Sequence, residues 1–105
     1  MIVEVTDETW DDVATAIRVY DLKPDKHGAN VRAEFGRALA AIGANPQLYP
    51  LVEDEYPGVE VREYPITRFE QRVIYLIEEN RVLVIAFVHA TRRPRAWHRR
   101  LSPNI

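Results

Sequence analysis

Arginine and histidine side chains in the second half of the chain are the residues that could do chemistry. Metal-free cleavage of RNA needs a base, cations against the phosphate and a donor for the leaving oxygen. Histidine titrates near neutrality, so His89 or His98 could act as base or acid. The cations could come from Arg62, Arg72, Arg92 and Arg93. The candidate catalytic residues are therefore Arg62, Arg72, His89 and Arg92.

Two of these candidates also have a purely structural interpretation. Arg72 heads an apolar strand face, so its guanidinium must reach an anion or solvent. An ion pair with Glu63 or Glu70 would meet that need without any role in catalysis. His89 could cap the end of the sheet through one hydrogen bond, because simple alternation places it on the strand face of Leu83, Ile85 and Phe87.

Residues 89–101, called here the arginine tail, contain five arginines and no acidic residue around Trp97. Arginine pairs with phosphate and tryptophan stacks on bases, so this segment could contact a nucleic acid or another target. The candidate binding residues are Arg92, Arg93, Arg95, Trp97, Arg99 and Arg100. The alternative is a solvated basic tail anchored by one buried tryptophan.

The charge of the chain is distributed unevenly, although the net charge is only −2. Residues 1–60 hold five Lys or Arg and twelve Asp or Glu, whereas residues 61–105 hold nine Arg and four Glu. This asymmetry favours an anion-facing surface in the second half. Mutual neutralisation of the two halves in the folded protein is the alternative.

Length and composition narrow the class of protein. A chain of 105 residues with 47% hydrophobic residues supports one core, so we expect a single domain over residues 1–105. The absence of cysteine excludes disulfides and sulfur-ligated zinc, and we expect no cofactor and no metal. No apolar stretch is long enough for a membrane span, and the start does not resemble a signal peptide. We therefore expect a cytoplasmic protein without membrane contact.

Hydrophobic periodicity gives the order of the elements. Ile2 to Val5 is a strand, and an amphipathic helix follows it with Thr6 or Asp7 as cap and an end near Asp21. A second helix is capped by Asn30 and ends at Gly43 to Pro46, with Gly36 as a close-packing position inside it. Three strand-like runs follow, at about residues 59–66, 72–77 and 82–89.

The pattern predicts an α+β domain in which a two-helix hairpin covers one face of a small, mainly antiparallel four-stranded sheet. The run 82–88 is apolar throughout, so it is a central strand, and the first strand pairs on its free side. The other face of the sheet needs a cover. The arginine tail with Trp97, a second copy of the chain or a different protein could supply it.

Several segments, in this order and spacing, resemble the RelE/ParE toxin family, which includes the plasmid stabilisation proteins. They are the first strand and helix, Phe35-x-x-x-Leu39-x-x-Ile42-x-x-Asn45-Pro46, Gly58-x-x-x-Arg62, Arg72-Val-Ile-Tyr75 and His89-x-x-Arg92-Arg93-Pro94-x-x-Trp97. The resemblance implies a RelE-like fold and the toxin role in a type II toxin–antitoxin system. Such a toxin arrests growth unless its cognate antitoxin binds it. The toxin would then form a hetero-oligomer with the antitoxin, and a homodimer of the toxin is the alternative assembly.

The resemblance leaves the target open. ParE-like members poison DNA gyrase and are not enzymes, whereas RelE-like members are endoribonucleases that cut mRNA on the ribosome and gather catalytic groups where Arg62, Arg72 and His89 fall. This chain departs from the nuclease pattern, because it has only two lysines, a slightly negative charge and no tyrosine after Tyr75. These departures favour the gyrase interpretation. A non-toxic domain that keeps antitoxin binding and autoregulation is the remaining alternative.

Overall fold

Two helices and a four-stranded sheet make up the computed structural model, which describes residues 1–52, 58–91 and 97–101. The elements are β1 (Ile2–Val5), α1 (Asp7–Asp21), α2 (Gly28–Ala44), β2 (Val61–Ile66), β3 (Gln71–Ile77) and β4 (Arg81–His89). The sheet order is β1-β4-β3-β2, and only the β1–β4 pair is parallel. The predicted α+β architecture and the central position of β4 are confirmed.

The α1 helix begins and ends where the sequence predicted. Thr6 is the N-cap, and its hydroxyl accepts the backbone N–H of Thr9 at 3.2 Å. The buried stripe of the helix includes Val13 and Ala16, which pack on the sheet. Only one residue separates β1 from α1. The helix therefore packs against β4, the strand with which β1 pairs.

The α2 helix corrects two predictions. It begins at Gly28, not after a cap at Asn30, and the side chain that binds its first turn comes from α1: Asp21 Oδ1 accepts the Gly28 N–H at 2.9 Å. A distant carboxylate therefore replaces the local cap. Gly36 is exposed, and a Cβ added there would meet nothing within 4 Å, so it is not a close-packing position.

A β-bulge in β4 decides which face each later side chain occupies. Tyr75 pairs with Val84 and Ile74 with Ala86, so Ile85 is an extra residue in β4. An extra residue reverses the alternation beyond it. As a result His89 lies on the helix face with Phe87, and the prediction that it shares a face with Leu83 and Ile85 was wrong.

Buried side chains form one cluster on each face of the sheet. The helix-side cluster includes Val31, Phe35, Tyr75 and Val84. The opposite cluster consists of Val52, Val61, Ile74, Leu76, Ile85, Ala86, Val88 and Trp97. Leu101 packs against this second cluster. The end of the arginine tail therefore covers the face that the helices leave open, which was one of the three covers expected.

Within the described ranges, no helix is long and apolar enough to cross a membrane.

Candidate functional site

Arg72 lies on the face of the sheet opposite the helices, where Ile74 and Leu76 are also found. Its Nη1 donates to Glu63 Oε2 at 2.6 Å, and its side chain is 17% exposed. The structural alternative for Arg72, an ion pair with Glu63, is therefore present. Its buried Nε has no hydrogen-bond partner in the described part of the chain, so one donor of this guanidinium remains unused.

Arg62 lies on the other face, directly across from Tyr75 of β3. Its Nε donates to Glu60 Oε2 at 2.7 Å, and its Nη1 donates to the carbonyl of Tyr49 at 2.6 Å. These bonds tie β2 to the segment that follows α2. Arg62 and Arg72 are therefore separated by the sheet, and each is already paired with a carboxylate.

His89 ends β4 on the helix face. Its Nδ1 accepts the backbone N–H of Thr91 at 3.2 Å and lies 2.8 Å from the hydroxyl of the same residue. An Nδ1 that accepts this N–H leaves the ring proton on Nε2, which lies 3.5 Å from Glu70 Oε2. Glu70 itself adopts a left-handed backbone with φ of 52°. His89 and Glu70 thus form an exposed pair at the end of β4.

The predicted catalytic residues do not converge in the part of the chain that is described. Arg62 and Arg72 are on opposite faces, and Arg92 lies outside the described residues. His89 is on the face of Arg62, but it pairs with Gln71, four positions along β3 from the partner of Arg62. A catalytic role for Arg62, Arg72, His89 and Arg92 stays a prediction.

The described end of the arginine tail is held on the protein by two side chains. Trp97 is 1% exposed within the cluster opposite the helices, so its ring is not available to stack on a base. Arg100 is 16% exposed and donates to both oxygens of Asp12, at 2.7 and 3.0 Å. Arg99 is exposed, whereas Arg92, Arg93 and Arg95 lie outside the described residues. Target binding by this tail stays a prediction that now centres on Arg99 and those three arginines.

Asp12 is a structural link between α1, β4 and the tail that the sequence reasoning missed. Its Oδ2 accepts the backbone N–H of Phe87 at 3.0 Å in addition to the bond from Arg100. Arg100 in turn donates to the carbonyl of Ile85 at 2.8 Å. The hydrogen bond to Asp12 raises the pKa of Arg100 above its ordinary value. The sequence did hold an indication of this role. Asp12 is a charged residue next to Val13 and one helical turn before Ala16, on the side of α1 that is buried.

These contacts close part of the free edge of β4. The β1 strand pairs with β4 only as far as Val84. The Thr9 hydroxyl donates to the carbonyl of Val84 at 3.1 Å, and Asp12 and Arg100 then bind the backbone of Phe87 and Ile85. The Val84 carbonyl also accepts the backbone N–H of Thr6, so it is at Ile85 and Phe87 that polar side chains satisfy backbone groups beyond the end of β1.

A cleft of about 420 Å³ begins where these polar contacts end. It lies between α1 and the last residues of β4, and its lining residues are Asp12, Thr15, Ala16, Val19, Tyr20, Lys23, Gln71, Phe87, Val88 and His89. The sequence reasoning did not find it, because it depends on how α1 crosses the sheet. Its lining is mixed, because apolar side chains such as Val19 and Phe87 stand beside polar ones and the cationic Lys23.

The described residues contain no group of three or more His, Asp or Glu side chains that could hold a metal ion.

The phenol of Tyr75 makes stability depend on pH at alkaline values. Burial raises the pKa of Tyr75 to about 12 from 10.0, opposed by the nearby Arg62 cation. The folded state therefore favours the protonated phenol, and this stabilisation is complete below pH 10 and is lost as the pH rises towards 12. We expect the urea midpoint to fall over that interval. In Tyr75→Phe the fall should be shallower, and parallel curves for the two proteins would contradict the prediction.

Taken together, the elements, their order and their pairing define an α+β domain of the RelE/ParE-like type. One solved structure with this fold belongs to the chromosomal ParDE TA system from P. aeruginosa, with a TM-score of 0.71. The two chains are 11% identical, and the match covers 85% of this chain and 95% of the other. No protein-family model and no curated protein matches the sequence. The predicted RelE-like fold is confirmed by this likeness.

Proposed function

We propose that this chain is the toxin of a type II toxin–antitoxin pair and that its cognate antitoxin neutralises it by binding. The observation that carries the proposal is the fold shared with a chain of a ParDE TA system over nearly the whole length of both. The resemblance of five sequence segments to the RelE/ParE family supports the same assignment.

We further propose that the toxin acts by binding its target in the cytoplasm, in the ParE manner on DNA gyrase, and not by cutting RNA. Metal-free cleavage needs a base and cations around one phosphate. Arg62 and Arg72 are on opposite faces of the sheet and bound to Glu60 and Glu63, so they do not face a common phosphate. Among the described arginines of the tail, Arg99 is exposed and is the side chain best placed for the target.

The proposal is tested by inducing this chain alone in a bacterial host. We expect growth arrest with intact transcripts and with DNA breaks or altered supercoiling. If a small acidic reading frame lies next to the gene, arrest that disappears on its co-expression would support the antitoxin partner. Arg72→Ala and His89→Ala should keep toxicity under this mechanism, and an in-frame stop after Met1 is the matched control.

Other outcomes would overturn parts of the proposal. Arrest with cut transcripts that is lost in Arg72→Ala and His89→Ala would establish a RelE-like endoribonuclease in place of gyrase poisoning. Unhindered growth with normal transcripts and supercoiling would contradict toxicity. A domain that only binds the antitoxin and regulates its own operon would then be the better description.

A further inference from the structure

Gln71 is a buried polar side chain without a partner in the described part of the chain. It is the first residue of β3 and is 8% exposed. Its side-chain amide forms no hydrogen bond within the described ranges, whereas the buried hydroxyl of Thr9 donates to the carbonyl of Val84. Buried amides in folded proteins are normally hydrogen-bonded, because an unpaired donor and acceptor cost free energy of desolvation. The amide of Gln71 is therefore suited to a partner that comes from outside the chain.

The side chain of Gln71 lies in the lining of the cleft between α1 and β4. The backbone of Gln71 is inside the sheet, since this residue pairs with Ile66 of β2 and with His89 of β4. Alternation along β3 places its side chain on the same face as Val73 and Tyr75, which is the face that the helices cover. The part of Gln71 that reaches the cleft is thus its amide-bearing side chain.

The walls around this amide are largely apolar. Ala16 and Val19 of α1 form one side, and Phe87 of β4 forms the other. The volume of the cleft, about 420 Å³, is within the usual range for sites that bind small molecules. An apolar cleft with one unpaired buried amide is the arrangement expected of a small-molecule site, in which a few polar groups orient the ligand.

The charge left over at the cleft is positive. Lys23 belongs to the lining, is exposed, and forms no ion pair within the described ranges. The nearby carboxylates are already occupied, since Asp12 binds Arg100 and Glu70 lies beside His89. An anionic group of a ligand could therefore pair with Lys23 without meeting an uncompensated carboxylate.

We propose that the cleft binds a free nucleoside monophosphate. A nucleobase carries a hydrogen-bond donor and an acceptor side by side on one edge, as a glutamine amide does, so the base and Gln71 can form a pair of hydrogen bonds. A simple anion would bind only the N–H groups of the amide and leave its carbonyl unpaired. The faces of the base would pack between Val19 and Phe87, and the phosphate would pair with Lys23. This site does not depend on the toxin assignment.

The test is a titration of the full, isotope-labelled chain with AMP, GMP, CMP and UMP, followed by NMR. We expect at least one of the four to shift the side-chain N–H signals of Gln71 in a saturable way, and calorimetry then gives its Kd. The corresponding nucleoside and ribose 5-phosphate should each bind more than about tenfold more weakly. The nucleoside lacks the anion for Lys23, and ribose 5-phosphate lacks the base for Gln71.

Gln71→Leu distinguishes recognition from a structural role. The variant should bind the nucleotide more than about tenfold more weakly, while its urea midpoint stays unchanged or rises, because the substitution removes a buried unpaired amide. A glutamine that only stabilised the fold would give a lower midpoint. Lys23→Met should weaken binding about tenfold at low salt, whereas Lys26→Met, outside the cleft lining, should not.

A second pair of variants locates the ligand. Val19→Trp should abolish binding, because the indole fills the cleft, whereas Ala14→Trp places the same ring on an exposed part of α1 outside it and should leave the Kd unchanged. Circular dichroism verifies that each variant is folded. The proposal is wrong if none of the four nucleotides shifts the Gln71 signals, or if folded Gln71→Leu or Val19→Trp binds as tightly as wild type. Tighter binding of a single-stranded oligonucleotide than of its mononucleotides would also overturn it, since the site would then serve a nucleic acid.

Discussion

Trp97→Ala is expected to lower the free energy of unfolding by about 3–5 kcal/mol, the usual cost of removing a large buried aromatic side chain. The indole is 1% exposed and contributes to the cluster with Ile74 and Ile85, on the face of the sheet opposite α1 and α2. Its removal leaves a cavity and weakens the attachment of the arginine tail. A domain of this size has a total stability of about 5–15 kcal/mol, so the variant should be largely unfolded at modest urea concentrations.

The measurement is urea unfolding followed by circular dichroism. Trp10→Ala is the matched control, because Trp10 is 49% exposed and belongs to neither buried cluster. This substitution removes only the edge-to-face contact between Trp10 and Phe35. We expect the control to lose on the order of 1 kcal/mol. Trp97→Ala should also bind a hydrophobic dye, since the sheet face beneath the tail becomes accessible. Equal losses in the two variants would show that the tail does not cover a second core.

Asp12→Ala is expected to cost about 3 kcal/mol, because it leaves Arg100 partly buried without its carboxylate partner and the Phe87 N–H without an acceptor. Asp12 is 13% exposed, so water replaces these bonds poorly. The same change at Asp11, which is exposed on the same helix, should stay within about 0.5 kcal/mol of wild type. Urea midpoints of the two variants give the comparison directly.

A double-mutant cycle then isolates the link between α1 and the tail. If Asp12 and Arg100 act through each other, Asp12→Ala combined with Arg100→Met should cost clearly less than the sum of the single changes. The coupling should depend only weakly on salt, because both side chains are largely buried. Additive losses would mean that Asp12 stabilises the fold through Phe87 alone.

Most of the secondary structure could be predicted from the sequence, because it follows from local patterns. The apolar spacing of α1 and its Thr6 cap are properties of adjacent residues, and so are the strand runs that became β2, β3 and β4. The exceptions had distant causes. The α2 helix begins at Gly28 because Asp21, on another helix, binds its first N–H, and no pattern near Asn30 reveals that.

The candidate site was predictable only in part. The sequence indicated that Trp97 could be an anchor and that Arg72 could pair with Glu63, and both contacts are present. It gave no means of knowing that Arg62 and Arg72 would face opposite sides of the sheet. That separation depends on which residues of β2 and β3 are paired, and pairing register is a long-range property.

The sequence by itself determined the α+β class, the order of elements and an arginine-rich end with one aromatic anchor, since composition and periodicity act over a few residues. The tertiary structure alone decided the face of His89, through a bulge at Ile85, and the link from Asp12 to Arg100. It also decided the cleft beside β4, which exists because β1 stops at Val5 while β4 continues to His89. Such features arise where separate elements meet, and local residue patterns do not encode how those elements meet.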